Sequence, residues 1–207
     1  MAFPSVEPLP SLGQLDPDTG HLREATIESE QAWRGALLDV RRDRVSLPDG
    51  GVAHREYVVH PGAVMVVPLL DDGRVVCERQ WRYPMGRAMI EFPAGKIEPG
   101  EPVLRCAVRE LIEETGYRAG EWGRAGILHN AIGYSDEGIE VWFARRLVVG
   151  ERQLDRGEFL DVFAAHPDEL DDAARRGELT DAKTLVGLLW LQNWRAGRWA
   201  IDWGRAP

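Results

Sequence analysis

Three glutamates, Glu110, Glu113 and Glu114, fall within one short run beside Arg109. On a helix stepped at about 100° per residue from Arg109, Glu113 lies near 40°, Glu110 near 100° and Glu114 near 140°. Leu104, Ala107, Val108, Leu111, Ile112 and Thr115 fall between about 160° and 300°. One side of such a helix is apolar, and the other presents three carboxylates. Like charges at i,i+3 and i,i+4 spacing repel by a few tenths of a kcal/mol per pair, and Arg109 offsets only part of this through Glu113. Two uses of the acidic face are open. It is an ordinary solvated surface, or it holds a hard divalent cation, which takes carboxylate oxygens, keeps several waters and shares substrate phosphate. The preceding loop favours the second use. Pro93-Ala94-Gly95 and Pro99-Gly100 force a tight approach to the helix, and Gly95 lets the backbone come close to an ion or a phosphate. Glu101 stands at the helix start, where the dipole favours an anion.

The elements that must position this run follow from punctuation and periodicity. A helix is predicted over 102–116, with Pro102 in its first turn and Gly116 at its end. Two more are predicted over 167–176 and 181–195, stopped by Gly177 and Gly197. Residues 1–20 read as an irregular arm. Residues 30–58 read as strands at 36–44, 45–47 and 52–59 around the turn Pro48-Asp49-Gly50-Gly51. The turn Asp71-Asp72-Gly73 predicts a hairpin between 63–70 and 74–79. Further strands are expected at 88–92, 125–129, 139–149 and 158–164. Met89 and Phe92 read as core, and Trp190, Trp194, Trp199 and Trp203 as packing for the last helix. Strands first, then strands mixed with helices, give an α+β class.

The 207 residues carry 25 Lys+Arg against 34 Asp+Glu, a net charge of −9. That argues against a nucleic-acid surface. An anionic ligand then needs a local arginine cluster or a bound cation. Two cysteines, Cys77 and Cys106, make no disulfide framework, which points to a reducing, cytoplasmic setting. The first twenty residues lack the basic segment of a signal peptide. The longest apolar stretch, 58–70, is broken by His60, Pro61 and Pro68 and is too short for a bilayer.

Gly95, five residues, Glu101, seven residues, then Arg109-Glu110-Leu111-Ile112-Glu113-Glu114-Thr115-Gly116 resembles the Nudix box. Tyr117 stands where that family usually has an aliphatic residue. The resemblance implies the Nudix fold, an α/β/α sandwich with a mixed sheet, and hydrolysis of a nucleoside diphosphate linked to another moiety. It implies Mg²⁺, with Mn²⁺ as the alternative. Glu110 and Glu114 would be the main ligands, Glu113 a further one and Ala94 a ligand through its carbonyl. Arg109 would orient the glutamates, and Gly95 and Gly116 would be structural.

The flanks are similar to the ADP-ribose pyrophosphatase subgroup. The residues that carry this are Glu78-Arg79-Gln80-Trp81-Arg82-Tyr83-Pro84, Glu91-Phe92-Pro93-Ala94-Gly95, the loop from His129 to Glu137, and Leu179-Thr180-Asp181-Ala182-Lys183. This likeness implies cleavage of ADP-ribose to AMP and ribose 5-phosphate. Arg55, Arg82 and Glu91 would face the substrate. Glu158 would help activate water, with Glu137 and Glu140 as rival bases. It also implies a homodimer. Residues 1–58 would form an arm and β-extension on the side of the base, with Trp33 a candidate for stacking, and 59–207 would form the Nudix domain. Ile132 replaces a proline common in the subgroup, so other nucleoside diphosphate sugars stay open as substrates. From a different class, a non-catalytic ligand-sensing module is the alternative, although such modules usually lose a box glutamate. A calcium-binding structural domain lacks its Asp-rich loop here.

Overall fold

The computed structural model describes residues 11–205; residues 1–10 of the expected arm lie outside the described residues. Two compact units divide between Tyr57 and Val58.

The N-terminal unit is built on β1 (Ala25–Arg34), β2 (Asp39–Ser46) and β3 (Val52–Val59), hydrogen-bonded in that order. Strand β1 is an addition to the sequence reading, which began its first strand at 36. It is exposed along its whole length and so carries no alternation to read. Charge holds it in register instead. Glu28 faces Arg44 and Glu30 faces Arg42 across the β1–β2 ladder, and each pair forms a salt bridge worth a few tenths of a kcal/mol.

The C-terminal unit holds two sheets. One contains β4 (Ala63–Pro68), β7 (Ala94–Lys96), β8 (Tyr117–Leu128), β9 (Ile139–Val149) and β11 (Trp203–Gly204), in the order β11-β8-β9-β4-β7. Strand β4 runs parallel to β9 and the other pairs are antiparallel, so the sheet is mixed. The second contains β5 (Val75–Arg82), β6 (Arg87–Glu91) and β10 (Leu160–Ala165), in the order β10-β5-β6. The expected hairpin between 63–70 and 74–79 is therefore not formed. The turn exists, but its two strands enter different sheets, and an isolated bridge from Leu69 to Val75 spans it. Every residue of β4 is buried, and such a strand needs a partner on both edges, which β9 and β7 supply. Strand β8 starts at Tyr117 rather than 125, because Gly120 and Gly123 mask its pattern.

The helices are α1 (Val103–Glu110), α2 (Pro167–Arg175) and α3 (Ala182–Arg195). Helix α1 runs on into a wider π-helical turn, Leu111–Thr115, ended by Gly116 at φ 76°, a left-handed conformation that suits glycine. Alternate side chains of β4 serve both sides of the sheet. Val64 and Val66 pack with Cys106, Ala107 and Leu111. Met65 and Val67 pack with Phe92, Phe143, Leu170, Leu188 and Leu191. With α1 on one side and α2 and α3 on the other, the layers are α/β/α. Helix α3 comes in close at Gly187, where a Cβ would stand 2.7 Å from Met65 Cε and 3.2 Å from the Phe92 ring. Met89 and Phe92 are buried as expected. The tryptophans pair edge to face, Trp190 with Trp199 and Trp194 with Trp203. Cys77 and Cys106 are free and buried. No helix among the described residues is long and apolar enough to cross a membrane.

Candidate active site

The acidic face of α1 is turned inward. Glu110 is 8% exposed and Glu114 3%, which sets aside the solvated-surface reading. Arg109 organises the cluster. Its Nη1 donates to Glu110 Oε1 at 2.7 Å and Glu113 Oε2 at 2.9 Å, and its Nη2 donates to the Lys96 carbonyl at 3.1 Å. Nε and Nη2 also fork onto the two oxygens of Glu101, each at 2.9 Å. Glu101 therefore acts through Arg109, a partnership that the sequence reading assigned to the helix dipole. The guanidinium is used on four sides, which a lysine ammonium could not match.

The loop and β7 complete the cradle. The Ala94 N–H donates to Glu114 Oε2 at 2.9 Å. A Cβ on Gly95 would fall 1.9 Å from Glu110 Oε1, so the glutamate sits where only glycine leaves room. Burial raises the Glu110 carboxyl to about 7, with Arg109 opposing and Glu113 and Glu158 adding to the rise. Burial also pushes Glu114 far above the usual carboxylate range, and Glu78 and Glu110 push it further. Glu158 thus stands near enough for its charge to be felt at both. It lies along a groove of about 460 Å³ with Arg79, Trp81, Arg152 and Phe159.

A second buried polar group lies between β5, β6 and the start of α3. Arg82 grips Glu91 with both arms, at 2.6 and 2.8 Å. Lys183 Nζ donates to the same carboxylate and, at 3.0 Å, to Asp181 Oδ2. Asp181 caps α3 by accepting from Thr184 N at 3.0 Å, and Thr184 Oγ1 in turn accepts from Phe92 N at 3.0 Å. Burial would raise Glu91, but Arg82 and Lys183 outweigh it and hold the carboxyl below its ordinary value. Glu78 joins this group. It is wholly buried and neither of its oxygens has a backbone, hydroxyl or cationic donor. The sequence reading missed Lys183 and Glu78 as site residues. The signal for Glu78 was present, a carboxylate closing the apolar run Val75-Val76-Cys77.

The remaining candidates lie as follows. Glu140 is taken up by Arg124 at 2.6 and 2.9 Å. Glu137 Oε1 faces His60 Nε2 at 3.6 Å. Arg55, in the N-terminal unit, is ion-paired with Glu24. Trp33, in the same unit, is 55% exposed, and Ile132 stands out on the loop after β8.

Among the described residues, no three His, Cys, Asp or Glu side chains are already gathered at one point for a metal ion. Glu110 and Glu113 lie on Arg109, and Glu114 lies on Ala94 N. The donor set nevertheless fits a hard divalent cation. It consists of carboxylates and a nearby carbonyl, the wholly buried Glu78 carboxylate beside it has no backbone, hydroxyl or cationic donor, and Gly95 lets the Glu110 carboxylate lie directly on the loop backbone.

A phosphate-handling site on an α/β/α scaffold agrees with comparisons across known proteins. The NUDIX domain model matches residues 59–185, and the model of the nucleoside diphosphate sugar hydrolase N-terminal domain matches residues 24–58. The chain belongs to the Nudix family of hydrolases. It is 38% identical over 173 residues to the ADP-ribose pyrophosphatase of Bacillus subtilis (strain 168), covering 83% of this chain and 94% of that one. It is also 38% identical over 177 residues to the ADP-ribose pyrophosphatase of Mycobacterium tuberculosis, covering 79% and 81%. A crystal structure of ADP compounds hydrolase superposes with a TM-score of 0.77 at 24% identity, covering 86% of this chain and 97% of its own.

Proposed function

We propose that this protein hydrolyses the pyrophosphate bond of ADP-ribose, giving AMP and ribose 5-phosphate, with Mg²⁺ as its cation and Mn²⁺ as the alternative. The observation that carries the reading is the acidic cluster of buried Glu110, buried Glu114 and half-buried Glu113, with Glu110 seated over Gly95, Glu110 and Glu113 held by Arg109, and Glu114 held by the Ala94 N–H. Support for the substrate comes from relatives named ADP-ribose pyrophosphatase that align along most of the chain.

Glu110, Glu113, Glu114 and the Ala94 carbonyl would hold the cation. Bound there, it supplies charge neutralisation for the diphosphate and acidifies a water. Arg109 keeps the glutamates in place and stays clear of the substrate. Arg82, braced by Glu91, offers its outer N–H groups to phosphate oxygens or the terminal ribose. Arg55 is assigned to the same end of the substrate. Glu158 takes the proton from the attacking water, a role favoured over Glu140, which Arg124 already occupies, and over Glu137, which faces His60.

The N-terminal unit is assigned to a homodimer and to the base side of the substrate. Its residues 24–58 match the N-terminal domain of nucleoside diphosphate sugar hydrolases, and its strand β1 is exposed throughout. Light scattering on a sizing column would return twice the chain mass. Two free, buried thiols suit the cytoplasm.

The deciding experiment incubates the protein with ADP-ribose and Mg²⁺ in ¹⁸O-water and weighs both products. AMP and ribose 5-phosphate with one ¹⁸O between them are expected. No turnover of ADP-ribose, with turnover of another nucleoside diphosphate sugar, would keep the chemistry and replace the substrate.

A further inference from the structure

Glu78 follows Val75, Val76 and Cys77 in β5 and is as deeply buried as they are. Strand register sets it opposite Glu91, so both side chains leave the sheet on one face. Its carboxylate stands beside that of Glu114, which reaches in from the turn after α1. Neither Glu78 oxygen has a backbone, hydroxyl or cationic donor; the Glu114 carboxyl lies against it instead. Few groups are costlier to a core than an ionised carboxylate without a partner.

The local charges indicate what is missing. Two cations, Arg82 and Lys183, lie among four carboxylates, Glu78, Glu91, Glu114 and Asp181. Arg82 is committed to Glu91, and Lys183 is shared between Glu91 and Asp181. Glu78 and Glu114 stand side by side with no side-chain cation committed to either, and two carboxyls, once ionised, match the charge of one divalent ion. The resemblance to the Nudix box assigns Glu78 no role, so this is a property of the chain's own residues.

We propose that Glu78 is a further ligand of the divalent cation, presented from β5 alongside Glu114. The proposal rests on the reading of Glu110 and Glu114 as cation ligands. Hard cations bind carboxylates in either monodentate or bidentate fashion and are content with all-oxygen surroundings.

The test is Mn²⁺ binding, followed by the electron-spin-resonance signal of the free ion, together with melting of the metal-free and Mn²⁺-loaded protein. Wild type, Glu78→Gln, Glu78→Val and Glu114→Gln are compared. Both Glu78 variants are expected to bind Mn²⁺ at least about tenfold more weakly, with a smaller metal-induced rise in Tm. Metal-free Glu78→Val is expected to melt above wild type, since valine suits the buried strand and removes the unpaired charge. Should Glu78→Gln fail to fold, the valine variant carries the test alone. Wild-type Mn²⁺ binding by the Glu78 variants, with loss in Glu114→Gln, overturns the proposal and leaves the cation site standing. Wild-type binding by Glu114→Gln as well removes the cation site and this inference together.

Discussion

Glycine 95 is the residue on which the acidic cluster closes. Its missing side chain is the space that the Glu110 carboxylate fills, with both oxygens and the carboxyl carbon within 2.3 Å of where a Cβ would stand. Gly95→Ala therefore displaces Glu110 while leaving the sheet and α1 intact. A displacement on the ångström scale costs about 10²-fold in kcat, which steady-state turnover of ADP-ribose would read, while circular dichroism shows an unchanged fold. A second residue-scale expectation concerns Glu101. The two hydrogen bonds from Arg109 pull its carboxyl down to about 2 from an ordinary 4.5, against the opposing effect of burial. A carboxylate with a lower pKa folded than unfolded stabilises the fold above its unfolded value and loses that contribution as pH falls toward its folded one. The Tm of metal-free Glu101→Gln should lie below wild type at pH 7, and the gap should close between pH 4.5 and 2. A gap that stays constant down to pH 2 would remove Arg109 as the cause.

At the scale of elements, the layers depend on how near α3 can approach. Gly187 is the contact point, tighter against Met65 and Phe92 than any side chain would allow. Gly187→Val should cost about 1–3 kcal/mol by overpacking, seen as a lower urea midpoint. It should also loosen the N-terminus of α3, where Lys183 braces Glu91, and so raise KM more than it lowers kcat. Elements also mark the limit of what sequence conveys. The acidic face of α1 was legible because a helix has a fixed angular step, and Gly116 marked its end. The partner of β4 was not, because Asp71-Asp72-Gly73 dictates a turn but not which strands then hydrogen-bond. Those pairings bring β4 to β9 across 76 positions of chain and β5 to β10 across 80 to 90. Glu78, quoted only as part of the flanking motif, was not read as a site residue for a related reason. One glutamate in a strand looks like a solvent-facing residue until the sheet above it is known.

For the molecule as a whole, the two cysteines report on integrity. Burial, with Glu78 close by, lifts the Cys77 thiol to about 12, and burial together with Glu101 does the same for Cys106. Thiols held so far above neutral pH are poor nucleophiles. Ellman's reagent at pH 8 should find no reactive thiol in the native protein and two after denaturation. One fast-reacting thiol in the native state would contradict the packing of either α1 or β5. The net charge of −9 acts on the same scale. If attraction of an anionic substrate to this surface is local, through the proposed roles of Arg82 and the cation, added salt should change the association rate little compared with an electrostatically steered enzyme.

The wide turn at Leu111–Thr115 gives the active site a dependence on chain length. A π turn holds an extra residue relative to the regular helix, so the aim of Glu114 at Ala94 is set by counting as well as by composition. Removing any one amino acid between 111 and 115 would let the coil relax to its common pitch, leaving later residues in register but re-aiming those inside the turn, Glu113 and Glu114 among them. Evolution can thus exchange Ile112 for another apolar residue at little expense, whereas frame-preserving codon loss in this stretch would silence the protein while most of its core stayed intact.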